Sequence, residues 1–354
     1  MSEKPQNVPQ RRYDIDWIRV IAIGLLLIYH ISIGFQSWGR MIGFITSPKS
    51  LDQLWYAMSL LNIWRIPLLF FVSGMGVYFA MRKRNWMQLI AERAYRILMP
   101  YVFGIFAIVP LHILLFSYYY DMTLHYIWSS AHLWFLGNIF SYVLLLSPIL
   151  FYLKKNETGK LASWIKRSLS KPWGLLIVLA AFVAEVMLVN PLPFEMYAMT
   201  WHGFFLGLLA FFFGFCFVMT GAGFWEMIKI WRWLFVVIAM GLYVLRMSQF
   251  GKVSPGYLLA TESLCWILLV FAFGSIHLNK KSKTLAYLSQ AAYPVYILHM
   301  VFLYLASVLI FPIPVPTIVQ FILVLAFTLA GCFGTYELIR RLKFLRPLFG
   351  LKIA

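Results

Sequence analysis

Long apolar runs separated by short polar segments fill the whole chain, and their lengths set the first expectation. A transmembrane helix needs about 20 apolar residues, because each residue advances about 1.5 Å through a hydrocarbon layer about 30 Å thick. Applied along the sequence, that length predicts ten spans: Trp17–Phe35, Leu54–Met81, Ile97–Tyr118, His132–Tyr152, Trp173–Val189, Thr200–Met219, Ile230–Met247, Gly256–Ile276, Leu285–Ile310 and Thr317–Ile339. No internal repeat, low-complexity tract or soluble appendage interrupts them. The expected architecture is an all-α polytopic membrane protein, one bundle and one domain over residues 1–354, with short tails at 1–15 and 340–354.

Composition agrees: 62% of the 354 residues are hydrophobic and 12% are charged, against about 45–50% apolar in a soluble domain. The formal charge of +18 would suggest nucleic acid if it were spread over a soluble surface, but its distribution says otherwise. The loops after the first, third, fifth, seventh and ninth spans hold only Arg40, Lys49, Arg246 and Lys252. The other side carries the rest, in the N-terminal tail with Lys4, Arg11 and Arg12, and in Arg82–Arg96, Lys154–Lys171, Lys229–Arg232, Lys280–Lys283 and Arg340–Lys352. Basic residues are retained on the cytoplasmic side, so the pattern predicts two cytoplasmic termini and an even number of spans. The charge is topology, and no nucleic-acid partner is expected. The segment Leu161–Lys171, basic and amphipathic with Trp164, is expected to lie in the inner interface among lipid headgroups. The first run is long, contains Arg19 and leads to no small-residue cleavage site, so it is expected to stay as a span. Cys216, Cys265 and Cys332 all sit inside apolar runs without paired spacing, so neither a disulfide framework nor a metal site is expected.

Against this apolar background the ionisable residues inside spans are conspicuous. An arginine at mid-helix costs roughly 2.5–3.5 kcal/mol on insertion scales, and such groups usually face a bundle interior or an aqueous cavity and pair with one another. Arg19 lies near the cytoplasmic mouth of the first span and His30 about 16 Å farther along it. Counting residues the same way puts Arg65, Glu185, His202, Glu262 and His299 in the outer half, with His132 opening the fourth span from outside. A polar chamber open to the outside is the expected geometry. An Arg65–Glu262 ion pair, or plain interhelical hydrogen bonds from His202 and His299, would be the structural readings of the same residues. On the cytoplasmic side, Arg93 and Arg96 share a helix face at three-residue spacing, and arginine forks suit phosphate oxygens.

Arg19-x10-His30 and Arg93-x-x-Arg96, together with Trp64-Arg65-Ile66-Pro67 running to Ser73-Gly74, His132-Leu133-Trp134-Phe135-Leu136 and Ile297-Leu298-His299, resemble the motifs of the integral-membrane acyltransferase family 3. Thr261-Glu262-Ser263, Tyr336-Glu337 and Leu345 to Gly350 are most similar to its branch that succinylates osmoregulated periplasmic glucans. The resemblance implies acyl transfer, across a bacterial cytoplasmic membrane, from acyl-CoA (acetyl-CoA or succinyl-CoA) to a hydroxyl of an extracytoplasmic glycan. No permanently bound cofactor is expected. The polyanionic CoA would dock at Arg19, Arg93 and Arg96 and thread its pantetheine arm up the bundle.

In that scheme His30 serves as general base, or as a nucleophile that carries the acyl group as an acyl-imidazole. Arg65 or His132 would stabilise charge at the carbonyl oxygen, Glu262 would orient an imidazole or bind the sugar, and Glu185, His202 and His299 would contact substrate. The competing class is a secondary transporter using the same buried groups, although the inverted repeat of many transporters is missing. The acyl group, the acceptor and the oligomeric state are not encoded in any feature recognised in the sequence.

Overall fold

The computed structural model describes residues 11–249 and 254–352, so Lys4 and Lys252 lie outside the described residues. Among those residues the regular elements are all helical. They are α1 (Tyr13–Ile33), α2 (Leu54–Asn62), α3 (Arg65–Ala80), α4 (Trp86–Arg93), α5 (Met99–Phe103), α6 (Val109–Tyr119), α7 (Trp134–Lys155), α8 (Lys160–Leu169), α9 (Gly174–Val189), α10 (Trp201–Thr220), α11 (Ala222–Ser248), α12 (Gly256–His277), α13 (Lys283–Ile310) and α14 (Thr317–Arg341). Nine helical stretches among the described residues are long and apolar enough to cross a membrane; α8 with α9, bent by 96°, would make a tenth. The bend sets the basic, amphipathic α8 nearly perpendicular to α9, while α9 alone is 16 residues long.

Helices run farther into the basic segments than apolarity alone predicts. The third span starts at Trp86, well before Ile97, because Asn85 and Gln88 form a capping box: the Asn85 side chain accepts from the Gln88 amide (2.9 Å), and the Gln88 side chain accepts from the Asn85 amide (3.1 Å). From there α4, α5 and α6 form one stretch joined by two π-turns, Ala94–Leu98 and Gly104–Ile108. The first π-turn carries Arg96. The seventh span likewise begins at Ala222, ahead of the expected Ile230.

At the centre α3 crosses α10 with their backbones almost touching. A Cβ on Gly74 would fall 1.9 Å from the Phe211 carbonyl oxygen, and one on Gly214 would fall 2.1 Å from that of Phe71. Small residues at such a crossing let the helices approach where lipid offers no hydrophobic drive for association. Gly74→Ala or Gly214→Ala would have to push the two apart.

The predicted second span, Leu54–Met81, is interrupted between α2 and α3. Proline in a helix removes one amide and clashes with the carbonyl four residues earlier, and four residues before Pro67 is Ile63, at the break. The freed Ile63 carbonyl is not left bare: it accepts from the Tyr197 hydroxyl (2.7 Å) and from the Ser263 hydroxyl (2.8 Å). Arg65 therefore opens a new helix inside the bundle.

Each end of the described chain is tied to the bundle by a hydrogen bond. The Tyr13 amide donates to the Asn279 side chain (3.0 Å), and the Arg96 Nε donates to the Gly350 carbonyl (3.4 Å).

Candidate functional site

Eleven residues are about 20° more than three whole helical turns, so Arg19 and His30 lie on the same face of α1. Each opens on a different cavity. His30 lines a chamber of about 520 Å³, walled also by Tyr29, Arg65, His112, His132, Glu195, Tyr197 and Tyr304. Arg19 lines a smaller cavity of about 80 Å³ with Ser73, Gly76, Arg93, Arg96 and Tyr293. Between them is a narrow space of about 30 Å³ bounded by Arg19, Ser73, Phe135, Leu136, Tyr293 and Tyr296. The Tyr296 hydroxyl in turn donates to the backbone carbonyl of His132, a chamber residue. The three spaces thus form a row from the arginines to the histidines.

In the chamber His30 Nδ1 lies 2.8 Å from His299 Nε2, and the two rings stack at 5.1 Å. His299 Nδ1 lies 2.6 Å from the Tyr296 carbonyl oxygen, which only accepts, so Nδ1 of His299 carries hydrogen. In a neutral His299 the other nitrogen, Nε2, is then an acceptor, and His30 must donate to it from Nδ1. That leaves the lone pair of His30 on Nε2. The tautomer is set by a backbone carbonyl through one intervening imidazole.

Arg65 is 2% exposed, and its guanidinium sits 3.8 Å from the centroid of the Tyr29 ring. Its Nε and Nη1 find no hydrogen-bond partner in the protein, and it forms no ion pair with a carboxylate among the described residues. It is a buried cation held by a ring face and a chamber wall. His132 Nε2 donates to the Ile297 carbonyl (3.1 Å), which leaves its Nδ1 as an unpartnered acceptor. His112 packs on His132 at 5.4 Å, and its own Nδ1 is also unpartnered. Although four imidazoles cluster here, no group of His, Cys, Asp and Glu among the described residues is arranged to hold a metal ion.

Three residues expected in the chamber are elsewhere. Glu262 pairs with Arg246, not Arg65: Nε to Oε2 and Nη2 to Oε1 are both 2.9 Å, so one guanidinium occupies both carboxylate oxygens. Arg246, counted above as an outer-loop charge, is the last basic residue of α11 and reaches inward to α12. Glu185 and His202 form a second pair, with His202 Nδ1 3.0 Å from each carboxylate oxygen, while His202 Nε2 is buried without a partner. They sit behind the chamber wall, with His202 stacked on Tyr197 at 5.2 Å. Equal depth does not imply a shared cavity, because depth along a helix says nothing about which way a side chain faces. His299 lies beside His30, touching it directly.

Chamber residues not anticipated are Tyr29, Asn62, His112, Glu195, Tyr197 and Tyr304. His112 carried the same signal as the other histidines, an imidazole inside a predicted span. Glu195 and Tyr197 lie in the α9–α10 loop and had no such mark.

At the Arg19 cavity Arg93 and Arg96 flank Glu92, at 3.3 and 3.2 Å, and Arg84 approaches it at 4.0 Å. One carboxylate faces several guanidiniums, so the mouth keeps a positive excess suited to phosphates.

An imidazole with a fixed lone pair, an uncompensated guanidinium and a row of spaces leading to a basic mouth can support transfer of an electrophilic group to an alcohol. The acyltransferase-3 family model, described as an acyltransferase domain, matches residues 12–337. Comparison with curated proteins and with solved structures found no match.

Proposed function

The chain belongs to the integral-membrane acyltransferase family 3, and on that footing we propose that it moves an acyl group from acyl-CoA, held at the basic mouth, to a hydroxyl of an extracytoplasmic glycan in the outer chamber. That it is a multi-pass membrane acyltransferase follows from the family and the helices; donor, acceptor and residue roles are our reading. The observation carrying it is the hydrogen-bond chain from the Tyr296 carbonyl through His299 to His30, which leaves a basic nitrogen facing the chamber.

In the reaction the glycan hydroxyl oxygen attacks the thioester carbonyl. His30 Nε2 takes the hydroxyl proton as the C–O bond forms, and Arg65 faces the negative charge that develops on the carbonyl oxygen. As the tetrahedral adduct collapses the C–S bond breaks, and the proton on His30 passes to the leaving thiolate. His132, whose free Nδ1 accepts, takes a hydrogen bond from a neighbouring hydroxyl of the acceptor sugar. Arg19, Arg93 and Arg96 hold the CoA phosphates, and the row of spaces past Ser73, Tyr293 and Tyr296 takes the pantetheine arm. The termini are cytoplasmic in this scheme, the membrane is the bacterial inner membrane, and acetyl or succinyl is the group moved, with a periplasmic glucan as the favoured acceptor.

The test is reconstitution in liposomes with acetyl-CoA or succinyl-CoA on the side of Arg93 and a surface glycan on the other. Free CoA should appear only when the glycan is present, with the acyl group recovered on the glycan by mass spectrometry. CoA release indifferent to glycan, or no release from either thioester, would contradict the proposal. A quenched sample with an acyl group on His30 would replace direct attack by the two-step route.

A further inference from the structure

Beside the chamber lies a second outer cavity of about 710 Å³, larger than the chamber itself, and the two share one residue, Glu195. Trp55 in the second cavity contacts Tyr29 in the first, with ring centroids 5.6 Å apart, and Trp38 braces Trp55 edge-on at 4.6 Å. An aromatic wall therefore runs from one cavity to the other, with a single carboxylate at the boundary. Resting on the acyl-transfer reading above, we infer that this second cavity is the acceptor subsite: it holds the non-reacting sugar units of a neutral glycan chain that crosses Glu195 to present one hydroxyl to His30.

The chemistry of the lining supports a carbohydrate. Asn190, Glu195, Gln249 and Ser254 offer amide, carboxylate and hydroxyl groups around Trp55, and sugars are bound by such hydrogen-bonding groups together with an aromatic face that meets their C–H surface. The charge balance selects a neutral chain over an anionic one. Arg246 is the only basic residue lining this cavity among the described residues, and its guanidinium is already committed to Glu262 through two hydrogen bonds of 2.9 Å. What remains among the described residues is the carboxylate of Glu195, which accepts from sugar hydroxyls and repels anionic substituents. Its place between the cavities gives it sight of both the reacting unit and its neighbour.

The prediction is a dependence on acceptor length. With linear glucose oligosaccharides as probes, from the monosaccharide upward, kcat/KM of the full-length protein should rise with chain length until the second cavity is filled. Glu195→Gln keeps the shape and removes the charge; Trp55→Phe keeps the packing on Tyr29 and Trp38 and shrinks the stacking face. Glu195→Gln should flatten the rise by roughly tenfold for the longer acceptors, the worth of a hydrogen bond to a charged group, Trp55→Phe should flatten it less, and both should do so through KM.

A loss equal at every acceptor length would mean a structural role and overturn the subsite, as would a wild-type rate indifferent to length. Binding of the same oligosaccharides without thioester, followed by calorimetry, separates the two levels of the claim. Length-dependent binding and transfer in the wild type that both variants leave intact would refute the subsite alone. No transfer to any oligosaccharide would remove the proposed function, and this inference with it.

Discussion

Two sets of buried ionisable groups lie in this bundle away from the Arg93 end, built from the same residue types, and they differ in whether each is paired with a carboxylate or opens on a cavity. Arg246 with Glu262, and His202 Nδ1 with Glu185, form ion pairs at 2.9–3.0 Å inside the protein and line no part of the chamber, although His202 Nε2 stays unpartnered. In the chamber, Arg65 makes no ion pair among the described residues, His112 and His132 each keep an unpartnered Nδ1, and His30 is tied only at Nδ1. Intramembrane charge alone therefore does not mark a site. What marks it is a charge or lone pair that the protein leaves open toward a cavity, since leaving such a group unmatched is costly unless something else uses it.

The contrast predicts that the open set controls rate and the closed set controls stability. His30→Ala should show the largest effect, a fall in kcat of about a hundredfold to ten-thousandfold, the usual contribution of a general base, with an unchanged melting temperature. Next comes Glu262→Ala, which strands Arg246 and should cost about 3–5 kcal/mol of stability, as broken buried pairs do. Thermal unfolding in detergent would read it, and Glu262→Gln with Arg246→Met together should restore much of the loss. His299→Ala frees the His30 ring and should lower kcat by about tenfold to a hundredfold without raising KM for either substrate. His299→Gln, which still presents an acceptor to His30, should recover part of that rate; equal loss in both would argue against tautomer control. The smallest effect belongs to the inner mouth, where Arg93→Ala or Arg96→Ala should raise KM for acyl-CoA roughly tenfold each and leave kcat nearly intact. Unaltered acyl-CoA binding in both would move the phosphate site elsewhere.

Much of this arrangement could be read from the sequence, for identifiable reasons. Span number and the all-helical class follow from apolar run length, which the bilayer imposes directly. Arg19 and His30 were legible because both lie on one helix, where spacing alone gives depth. Partner choice was not, because it depends on which way each helix turns. Depth alone assigns Glu262 to the chamber, because Arg246, at the very end of the predicted span, counts as a loop charge; in the last turn of α11 it instead turns inward onto α12. The break before Arg65 went unread, although Pro67 stands just after it, and where the freed Ile63 carbonyl would go depended on Tyr197 and Ser263, distant in sequence. Glu195 illustrates the limit most plainly: a carboxylate in a short loop carries no pattern until the fold sets it between two cavities.

The central claim is that His30 works from the open set while Glu262 belongs to the closed one. The most direct measurement is the rate of acyl transfer to glycan per folded molecule, compared between His30→Ala and Glu262→Gln after both are quantified as monodisperse protein. The account predicts that His30→Ala is native in melting temperature and at least about a hundredfold slower, and that Glu262→Gln melts earlier but keeps its rate per folded molecule. A His30→Ala protein that acylates at the wild-type rate, or a stable Glu262→Gln protein that has lost transfer, would contradict it.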